Sequence, residues 1–186
     1  MASKQSEFRI IGGQWRSRRL PFANEDGLRP TLDRVRETVF NWLAEWTPGA
    51  RVLDAFAGSG SLGIEALSRG ASQVTFVDQS RDACDYIQKN LDTLKASDSQ
   101  VVCSDVEKWV AVNESALFDL IFLDPPFGRG LIAPLIEQLM QAQCVGPETL
   151  IYTECESGGF AGISGFQKYK AKKFRSLEVA VWRRGD

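Results

Sequence analysis

The segment Asp124-Pro125-Pro126-Phe127 points to a chemistry by its residue types and their order. An amino group on a nucleobase ring is a poor nucleophile, because its lone pair is delocalised into the ring. The Asp124 carboxylate and the Pro125 backbone carbonyl can each accept one N–H and so aim that lone pair at a methyl donor. Pro125 and Pro126 stiffen the turn, and Phe127 can stack on a base held out of its helix. We therefore predict that these four residues catalyse methyl transfer to an amine.

A glycine-rich turn lies upstream, between a predicted strand and a predicted helix. The spacing Gly58-x-Gly60-x-x-Gly63 in this context is typical of a nucleotide-binding loop. The spacing alone fits NAD as well as S-adenosylmethionine, and it also fits a tight turn without a ligand. Asp54 precedes the first glycine and would repel a pyrophosphate, whereas it can meet the cationic amino-acid end of S-adenosylmethionine. The pattern therefore favours S-adenosylmethionine, with Asp54 and the three glycines as binding residues, and with Asp124 beside the cofactor as well.

Two further strand ends carry acceptors that suit an adenosyl group. Asp78, followed by Gln79, ends the second predicted strand about 20 residues past the glycines, where a carboxylate accepts the two ribose hydroxyls. The alternative is a solvated loop residue. Asp105, after Ser104, can accept from an adenine amino group while the backbone amide of Val106 donates to the ring. Asp105 is also a candidate N-cap of the next helix, and both roles can hold at once.

The composition excludes several enzyme classes. The chain has 186 residues and no histidine, which removes Ser-His-Asp and Cys-His nucleophiles and metal sites that need a histidine ligand. The four cysteines form neither a disulfide framework nor a metal knuckle. We expect no metal and a reduced, cytoplasmic protein. No apolar run approaches the roughly 18–20 residues that span a bilayer, so no membrane association is expected.

The absence of an imidazole also leads to an expectation about pH. The reference pKa of an aspartate is about 4, so an ordinary Asp124 is already ionised near neutrality. We therefore expect the rate to depend only weakly on pH between about 6.5 and 8.5.

Charge is distributed unevenly along the chain. Residues 1–36 hold 8 basic and 4 acidic residues, and residues 165–186 hold 7 basic and 2 acidic ones, whereas residues 37–164 hold 7 basic and 18 acidic ones. Two basic ends suggest contact with a polyanion, although charged ends can also be merely solvated. The candidate RNA-binding residues are Arg16, Arg18, Arg19, Arg29, Arg34, Arg36, Lys168 and Lys170. For Arg34 and Arg36, ion pairs with Asp33 and Glu37 on one helix are an equal alternative.

Alternating elements must position these residues. Buried strands are predicted at 51–56, 73–78, 100–103, 118–124 and 149–154. Helices are predicted at 31–43, with Thr31 as N-cap, and at 62–69, 80–94, 106–112 and 131–142. Near-continuous apolar strands between helices indicate an α/β fold with a mostly parallel sheet covered on both faces. Residues 166–174 and 176–184 resemble a terminal hairpin. We expect a basic N-terminal hairpin extension at 1–30 and a catalytic domain at 31–186.

The quoted motifs together resemble a known family. Residues 27–43, GLRPTLDRVRETVFNWL, stand directly before the glycine-rich domain, and RIIGGQWRSRRL precedes them. With DAFAGSGSLG, Asp78, Ser104-Asp105 and DPPF, they resemble the bacterial RsmD family from about residue 8 to residue 183. The resemblance implies a Rossmann-like class I methyltransferase with seven strands, the last antiparallel. It implies transfer from S-adenosylmethionine to the exocyclic amine of a guanine in 16S ribosomal RNA, within the assembled 30S particle, by a monomer.

Other functions fit parts of the sequence. DNA adenine and protein glutamine methyltransferases use similar tetrapeptides. The arginine-rich N-terminal segment and the lack of a separate DNA-recognition domain disfavour the first, and the basic ends disfavour the second. A non-catalytic RNA-binding factor of ribosome assembly is a rival from another class, against which the intact DPPF segment argues. A NAD-dependent enzyme fits least.

Overall fold

A computed structural model describes residues 6–23, 31–113, 116–160, 162–175 and 177–185. The strands are Glu7–Arg9 (β1), Arg19–Pro21 (β2), Arg51–Asp54 (β3), Gln73–Asp78 (β4), Ser99–Cys103 (β5), Phe118–Leu123 (β6), Val145–Glu156 (β7), Phe166–Phe174 (β8) and Leu177–Arg184 (β9). The helices are Asp33–Trp42 (α1), Ser61–Ser68 (α2), Arg81–Leu94 (α3), Val106–Val112 (α4) and Ile132–Gln141 (α5). These bounds agree closely with the predicted alternation.

The main sheet has seven strands in the order β5-β4-β3-β6-β7-β9-β8. The pairs from β5 to β7 are parallel, whereas β9 runs antiparallel to both β7 and β8. The predicted seven-stranded, mostly parallel sheet with an antiparallel last strand is confirmed. β3 and β6 lie side by side at the centre, so the glycine loop and the DPPF segment leave the sheet at the same edge.

Strand β6 shows why its sequence is almost entirely apolar. Leu120 and Phe122 enter one hydrophobic cluster, together with side chains of α1, α2 and α3. Ile121 and Leu123 enter a second cluster, with side chains of α4 and α5. Successive side chains of a strand point to opposite faces, so a strand with helices on both sides is apolar wherever the helices cover it, and only Asp119, near its start, is exposed.

Helix starts follow the sequence in one case and depart from it in another. Ser80 caps α3 as predicted, since its side chain accepts a hydrogen bond from the Ala83 amide at 3.1 Å. The predicted cap at Thr31 is wrong, because α1 begins at Asp33 after Leu32 and has no side-chain cap. The Thr31 hydroxyl bonds instead to a residue distant in sequence, described below.

The N-terminal hairpin of β1 and β2 is attached to the rest of the protein. Phe8 and Leu20 lie in the same hydrophobic cluster as α1 and α2. The loop between the strands lies against α2: the Gln14 and Trp15 amides donate to the Ser68 carbonyl and hydroxyl at 2.8 and 3.0 Å. A Cβ at Gly13 would come within 1.8 Å of the Ser68 carbonyl oxygen. Only glycine allows this close approach.

Among the described residues, no helix is both long and apolar enough to cross a membrane.

Candidate active site

A cavity of about 1000 Å³ opens at the carboxyl ends of the parallel strands. Most of the predicted site residues line it: Asp54, Gly58, Asp78, Gln79, Ser104, Asp105, Val106, Asp124, Pro125, Pro126 and Phe127. The fold therefore brings together residues that are up to 73 positions apart in the sequence. Gly60 and Gly63, which were also predicted to bind the cofactor, are not part of the lining.

Gly60 and Gly63 do not line the cavity but shape the turn that leads into α2. Gly60 has a φ of 74° and directly precedes α2, a left-handed conformation that favours glycine. A Cβ at Gly63 would meet the Phe76 ring at 2.2 Å. The Gly63 amide donates to Asp54 Oδ2 at 2.9 Å. The absence of a side chain at Gly63 thus lets α2 lie close enough to the sheet for its first turn to hold the Asp54 carboxylate.

Asp54 is a buried acid at the end of β3, with 1% of its surface exposed. Burial raises the pKa of Asp54 from its usual 3.8 to about 7, and the nearby Asp78 charge adds to the rise, whereas the Gly63 hydrogen bond opposes it. The folded protein therefore keeps a titrating group near neutral pH at a predicted cofactor contact. The expectation of a weak pH dependence considered only Asp124, whereas Asp54 is a second carboxylate of the site and its pKa is about 7.

Asp78 is held in place by two backbone amides. Gly58 donates to its Oδ2 at 2.7 Å and Ser80 donates to its Oδ1 at 2.8 Å. Each carboxylate oxygen can accept a further hydrogen bond, so the pair of oxygens remains able to receive two hydroxyls from the cavity. The glycine loop and the end of β4 are tied together by the same carboxylate.

Asp105 caps the next helix, as one of its two predicted roles requires. Its Oδ1 accepts from the Lys108 amide at 3.1 Å, and its backbone is extended at the N-cap of α4. Asp105 also lines the cavity beside Ser104 and Val106. The capping role is confirmed, and contact with an adenine ring stays a prediction.

Asp124 shares its surroundings with three polar residues. The Thr31 hydroxyl donates to Asp124 Oδ2 at 3.3 Å, and Thr31 is also within hydrogen-bonding reach of Glu154. The Tyr152 hydroxyl donates to Glu154 Oε2 at 2.8 Å. Burial raises the pKa of Asp124 well above its usual range, and the neighbouring Glu154 and Asp54 charges raise it further, against the effect of Thr31. Burial also raises the pKa of Glu154.

Glu154 is a site residue that sequence reasoning did not find, and the hydrogen bond between Thr31 and Asp124 was not foreseen either. Glu154 is 6% exposed, on β7, and lines the cavity with Asp124. It ends the predicted strand at 149–154, so the strand-end rule that selected Asp78 and Asp124 would also have selected it. The contact of Thr31 with Asp124 had no comparable signal, because the two residues are 93 positions apart.

The cavity lining is unbalanced in charge. Six acidic residues line it: Asp54, Asp78, Asp105, Glu107, Asp124 and Glu154. Against these stand three arginines, Arg34, Arg129 and Arg175. Such a lining suits a ligand that carries positive charge and repels a pyrophosphate. Among the described residues, no group of acidic or cysteine side chains is arranged to hold a metal ion.

The rim of the cavity carries an exposed aromatic ring and a stacked cation. Phe127 is 48% exposed, which leaves its ring free to meet an incoming group. Arg34 lies over the Phe174 ring, with its guanidinium carbon 5.6 Å from the ring centroid. Arg34, one of the predicted RNA-binding residues, therefore lies at the mouth of the site.

The prediction that Arg36 contacts RNA or a cofactor carboxylate is wrong. Its side chain is fully buried. It donates to the Arg9 carbonyl and to Asp33 Oδ1, each at 2.7 Å, and lies 3.6 Å from Glu65 Oε2. The ion-pair alternative holds with Asp33, and the second partner is Glu65 on α2.

The other predicted RNA-binding residues lie in three places. Arg16, Arg18 and Arg19 are exposed on the N-terminal hairpin. Lys168 and Lys170 are exposed on the edge strand β8, where Lys168 also pairs with a glutamate at 3.1 Å. Arg29 lies outside the described residues. RNA contact at the exposed residues stays a prediction.

Comparisons with known proteins agree with this architecture. A family model described as conserved hypothetical protein 95 matches residues 8–183. The chain is 47% identical over 154 residues to ribosomal RNA small subunit methyltransferase D of Escherichia coli K12, covering 83% of this chain and 77% of that protein. It is 44% identical over 163 residues to the protein of the same name in Haemophilus influenzae, covering 82% and 80%. The solved structure of yhhF from Escherichia coli superposes with a TM-score of 0.89 at 41% identity, covering 96% of this chain and 98% of that one.

Proposed function

The chain belongs to the RsmD family, whose model is described as conserved hypothetical protein 95, and we therefore propose that it methylates a guanine of small-subunit ribosomal RNA at the exocyclic amine. The relatives named above are small-subunit ribosomal RNA methyltransferases. The observation that carries the proposal is the presence of Asp124 and Phe127 in the same cavity as Asp54 and Asp78. One cavity then holds acceptors for an amine, an aromatic ring that can stack on a base, and acids that suit a positively charged adenosyl cofactor.

The cofactor is S-adenosylmethionine, and the residues present fit it. When bound, it supplies a methyl group on a positively charged sulfur. Asp78 offers two acceptor oxygens for ribose hydroxyls, held by the Gly58 and Ser80 amides. Asp54 lines the cavity as a buried acid, and its Oδ2 accepts a hydrogen bond from the Gly63 amide. A cationic ammonium beside it favours its ionised form.

The protein's part in the transfer is to orient the amine and to keep it close to the methyl donor. Asp124 and the Pro125 carbonyl accept its two N–H groups and direct the nitrogen lone pair, while Phe127 stacks on the base. The raised pKa of Asp124 means that a positive charge in the cavity helps to keep this acceptor ionised. Asp124 can also take up the proton that the amine loses after methylation.

The exposed arginines and lysines supply the non-specific part of RNA binding. Arg16, Arg18 and Arg19 on the hairpin and Lys168 and Lys170 on β8 are exposed cations that can contact phosphates. Arg34 at the cavity mouth and Arg29 complete the proposed set. The proposal includes a cytoplasmic monomer acting on the assembled 30S particle, whose folded RNA and proteins supply contacts that a chain of 186 residues does not.

Transfer of a tritiated methyl group tests this function directly. The purified protein is incubated with 16S RNA, with assembled 30S particles, with DNA and with total protein, and the modified nucleoside is identified by mass spectrometry. We expect label only in small-subunit RNA, as N2-methylguanosine, with 30S particles the better substrate. Label in N6-methyladenine of DNA or in glutamine would contradict the proposal, and so would tight RNA binding without any label.

A further inference from the structure

We propose that Glu154 selects guanine by accepting the N1–H of the target base beside the amine held by Asp124. This assignment rests on the proposed function and deepens it by naming the residue that distinguishes guanine from other bases. Asp124 can hold any exocyclic amine, because every such amine offers two N–H donors. A second group must therefore read the neighbouring ring nitrogen.

The sheet places the two acids side by side. β6 and β7 are parallel neighbours in which Phe122 pairs with Tyr152 and Leu123 with Thr153. Continued by one residue, the same register sets Asp124 beside Glu154. Residues two apart along a strand share a face, and Phe122 and Tyr152 both lie in the cluster on one side of the sheet. The two acids therefore project to one side, about one strand spacing apart, roughly 5 Å.

Hydrogen bonds place the two carboxylates on either side of one hydroxyl. Thr31 bonds to Asp124 at 3.3 Å and is within reach of Glu154. A hydroxyl has one hydrogen to donate, so two ionised acids cannot both be satisfied by Thr31. A ligand that brings two parallel N–H groups would satisfy both. Glu154 is 6% exposed and lines the cavity, so bulk water has little access to it whereas a base held in the cavity can approach it.

Guanine is the base that offers this pair. Its N1–H lies next to the 2-amino group on the Watson–Crick edge, the edge by which enzymes read an extruded base. Adenine and cytosine carry a ring nitrogen lone pair next to their amine, which an ionised Glu154 would repel. A buried polar group that is left unpaired by the wrong ligand gives strong discrimination.

Tyr152 gives Glu154 its orientation. Its hydroxyl donates to Oε2 at 2.8 Å, so the other oxygen is the one available to the base. The same contact determines how a glutamine would lie in this place. The Tyr152 hydroxyl would donate to the amide oxygen, and the amide NH₂ would face the base. Glu154→Gln therefore exchanges an acceptor for a donor without a change of shape.

The experiment compares guanine with 2-aminopurine, which keeps the 2-amino group but has a lone pair at N1. The methylated position is first mapped on 16S RNA with the wild-type protein, and RNA carrying 2-aminopurine at that position is then made by ligation. We expect the wild-type protein to methylate it at least about 100-fold more slowly than guanine RNA. Glu154→Gln should lose at least about 100-fold on guanine RNA and should prefer 2-aminopurine.

Two controls separate this role from damage to the fold. Glu156→Gln changes an exposed acid two positions along β7 and should retain the wild-type preference for guanine. Calorimetry of S-adenosylmethionine binding should give the same affinity for Glu154→Gln and the wild-type protein within about threefold, since Glu154 is assigned to the base.

Three results would overturn the assignment. Wild-type methylation of 2-aminopurine RNA at a rate close to that of guanine RNA would show that N1 is not read. An unchanged guanine rate in Glu154→Gln would show that N1 is read elsewhere. If the wild-type protein methylates no guanine in any small-subunit RNA, the proposed function fails first and the role of Glu154 fails with it.

Discussion

Arg36 and Glu65, a guanidinium and a carboxylate that are both fully buried, lie 3.6 Å apart between α1 and α2. Glu65 also accepts hydrogen bonds from the Ile11 and Gly12 amides, each at 2.8 Å. Arg36 Nε donates to the Thr31 carbonyl at 3.1 Å. The pair therefore joins the N-terminal hairpin, the segment that carries Thr31, and the helix that follows the glycine loop. Desolvation makes a buried pair costly to form but more costly to break on one side.

Glu65→Gln should destabilise the protein strongly. It leaves the Arg36 charge buried beside a neutral group, and the loss expected for one partner of a buried pair is about 3–5 kcal/mol. The double variant Arg36→Met with Glu65→Leu should lose less than Glu65→Gln alone, because the fully buried Arg36 charge is removed together with its fully buried partner. Urea unfolding at pH 7 measures both, with the exposed Glu45→Gln as control. Equal losses in Glu65→Gln and Glu45→Gln would contradict the network.

Asp124→Ala should abolish methyl transfer and leave the cofactor bound. We expect a loss of at least about 100-fold in single-turnover rate, as for removal of one stabilising group in an active site. S-adenosylmethionine should bind with an affinity close to wild type in calorimetry. Asp119→Ala is the matched control, since Asp119 is exposed on β6, the strand that Asp124 follows, and accepts a hydrogen bond from the Arg51 amide far from the cavity lining. Near-normal turnover in Asp124→Ala would remove the residue from the mechanism.

Asp54→Asn should stabilise the protein while weakening cofactor binding. The folded pKa of Asp54, about 7, lies above its usual 3.8, so the folded state binds the extra proton between these values. Protonated Asp54 therefore stabilises the fold relative to ionised Asp54, fully below pH about 4, and this stability is lost as pH rises through about 7. An asparagine at this position cannot ionise and so avoids the loss of stability at high pH. The melting temperature of Asp54→Asn should therefore exceed that of the wild-type protein by about 5 °C or more at pH 8 and by less at pH 5. Exposed Asp82→Asn should show no such difference between the two pH values.

Cofactor affinity should increase with pH across the neutral range. A cationic ligand favours ionised Asp54, whose pKa in the free protein is about 7, so binding at pH 6 must release a proton. We expect roughly tenfold tighter binding at pH 8 than at pH 6, and a heat of binding at pH 6 that varies with the ionisation enthalpy of the buffer. Both effects should be smaller in Asp54→Asn than in the wild-type protein. A flat profile in the wild-type protein would mean that Asp54 does not titrate between pH 6 and pH 8.

Replacement of Arg16, Arg18 and Arg19 together by Gln should weaken RNA binding without changing cofactor affinity. Each lost phosphate contact reduces the salt dependence of RNA binding by about one unit of the log–log slope. Filter binding over a range of salt concentrations measures this slope. Arg51 is exposed at the start of β3, at the end of the strand away from the cavity, and Arg51→Gln should leave the salt-dependence slope unchanged. A triple variant with the wild-type slope would place the RNA elsewhere on the protein.

The sequence was informative wherever a local pattern decides the structure. The buried strands are almost wholly apolar, the glycine loop has a fixed spacing, and Ser80 precedes a helix, so each could be read without knowledge of its neighbours. Whether a charged side chain is buried depends instead on partners that are distant in the sequence. Arg36 resembles an exposed helix cation in sequence, and only the fold brings Glu65, 29 positions away, to its side.

The same limit explains the errors at the site. Thr31 fits the local preference for a helix cap, but its hydroxyl bonds to Asp124 across the sheet edge. The pH expectation used the pKa of a solvated carboxylate, whereas Asp54 and Asp124 are desolvated together. The residue types of a site can thus be predicted from strand ends, while their titration depends on how closely the fold packs like charges.

The excess of acidic groups around the cavity also bears on turnover. Six acids face three arginines in its lining. Once the methyl group has been transferred, the sulfur of the spent cofactor is neutral, and the attraction between it and these acids is lost. A single charge interaction near a protein surface amounts to a few kcal/mol at about 4 Å. We therefore expect the cavity to bind the positively charged methyl donor more tightly than the by-product, whose sulfur is neutral.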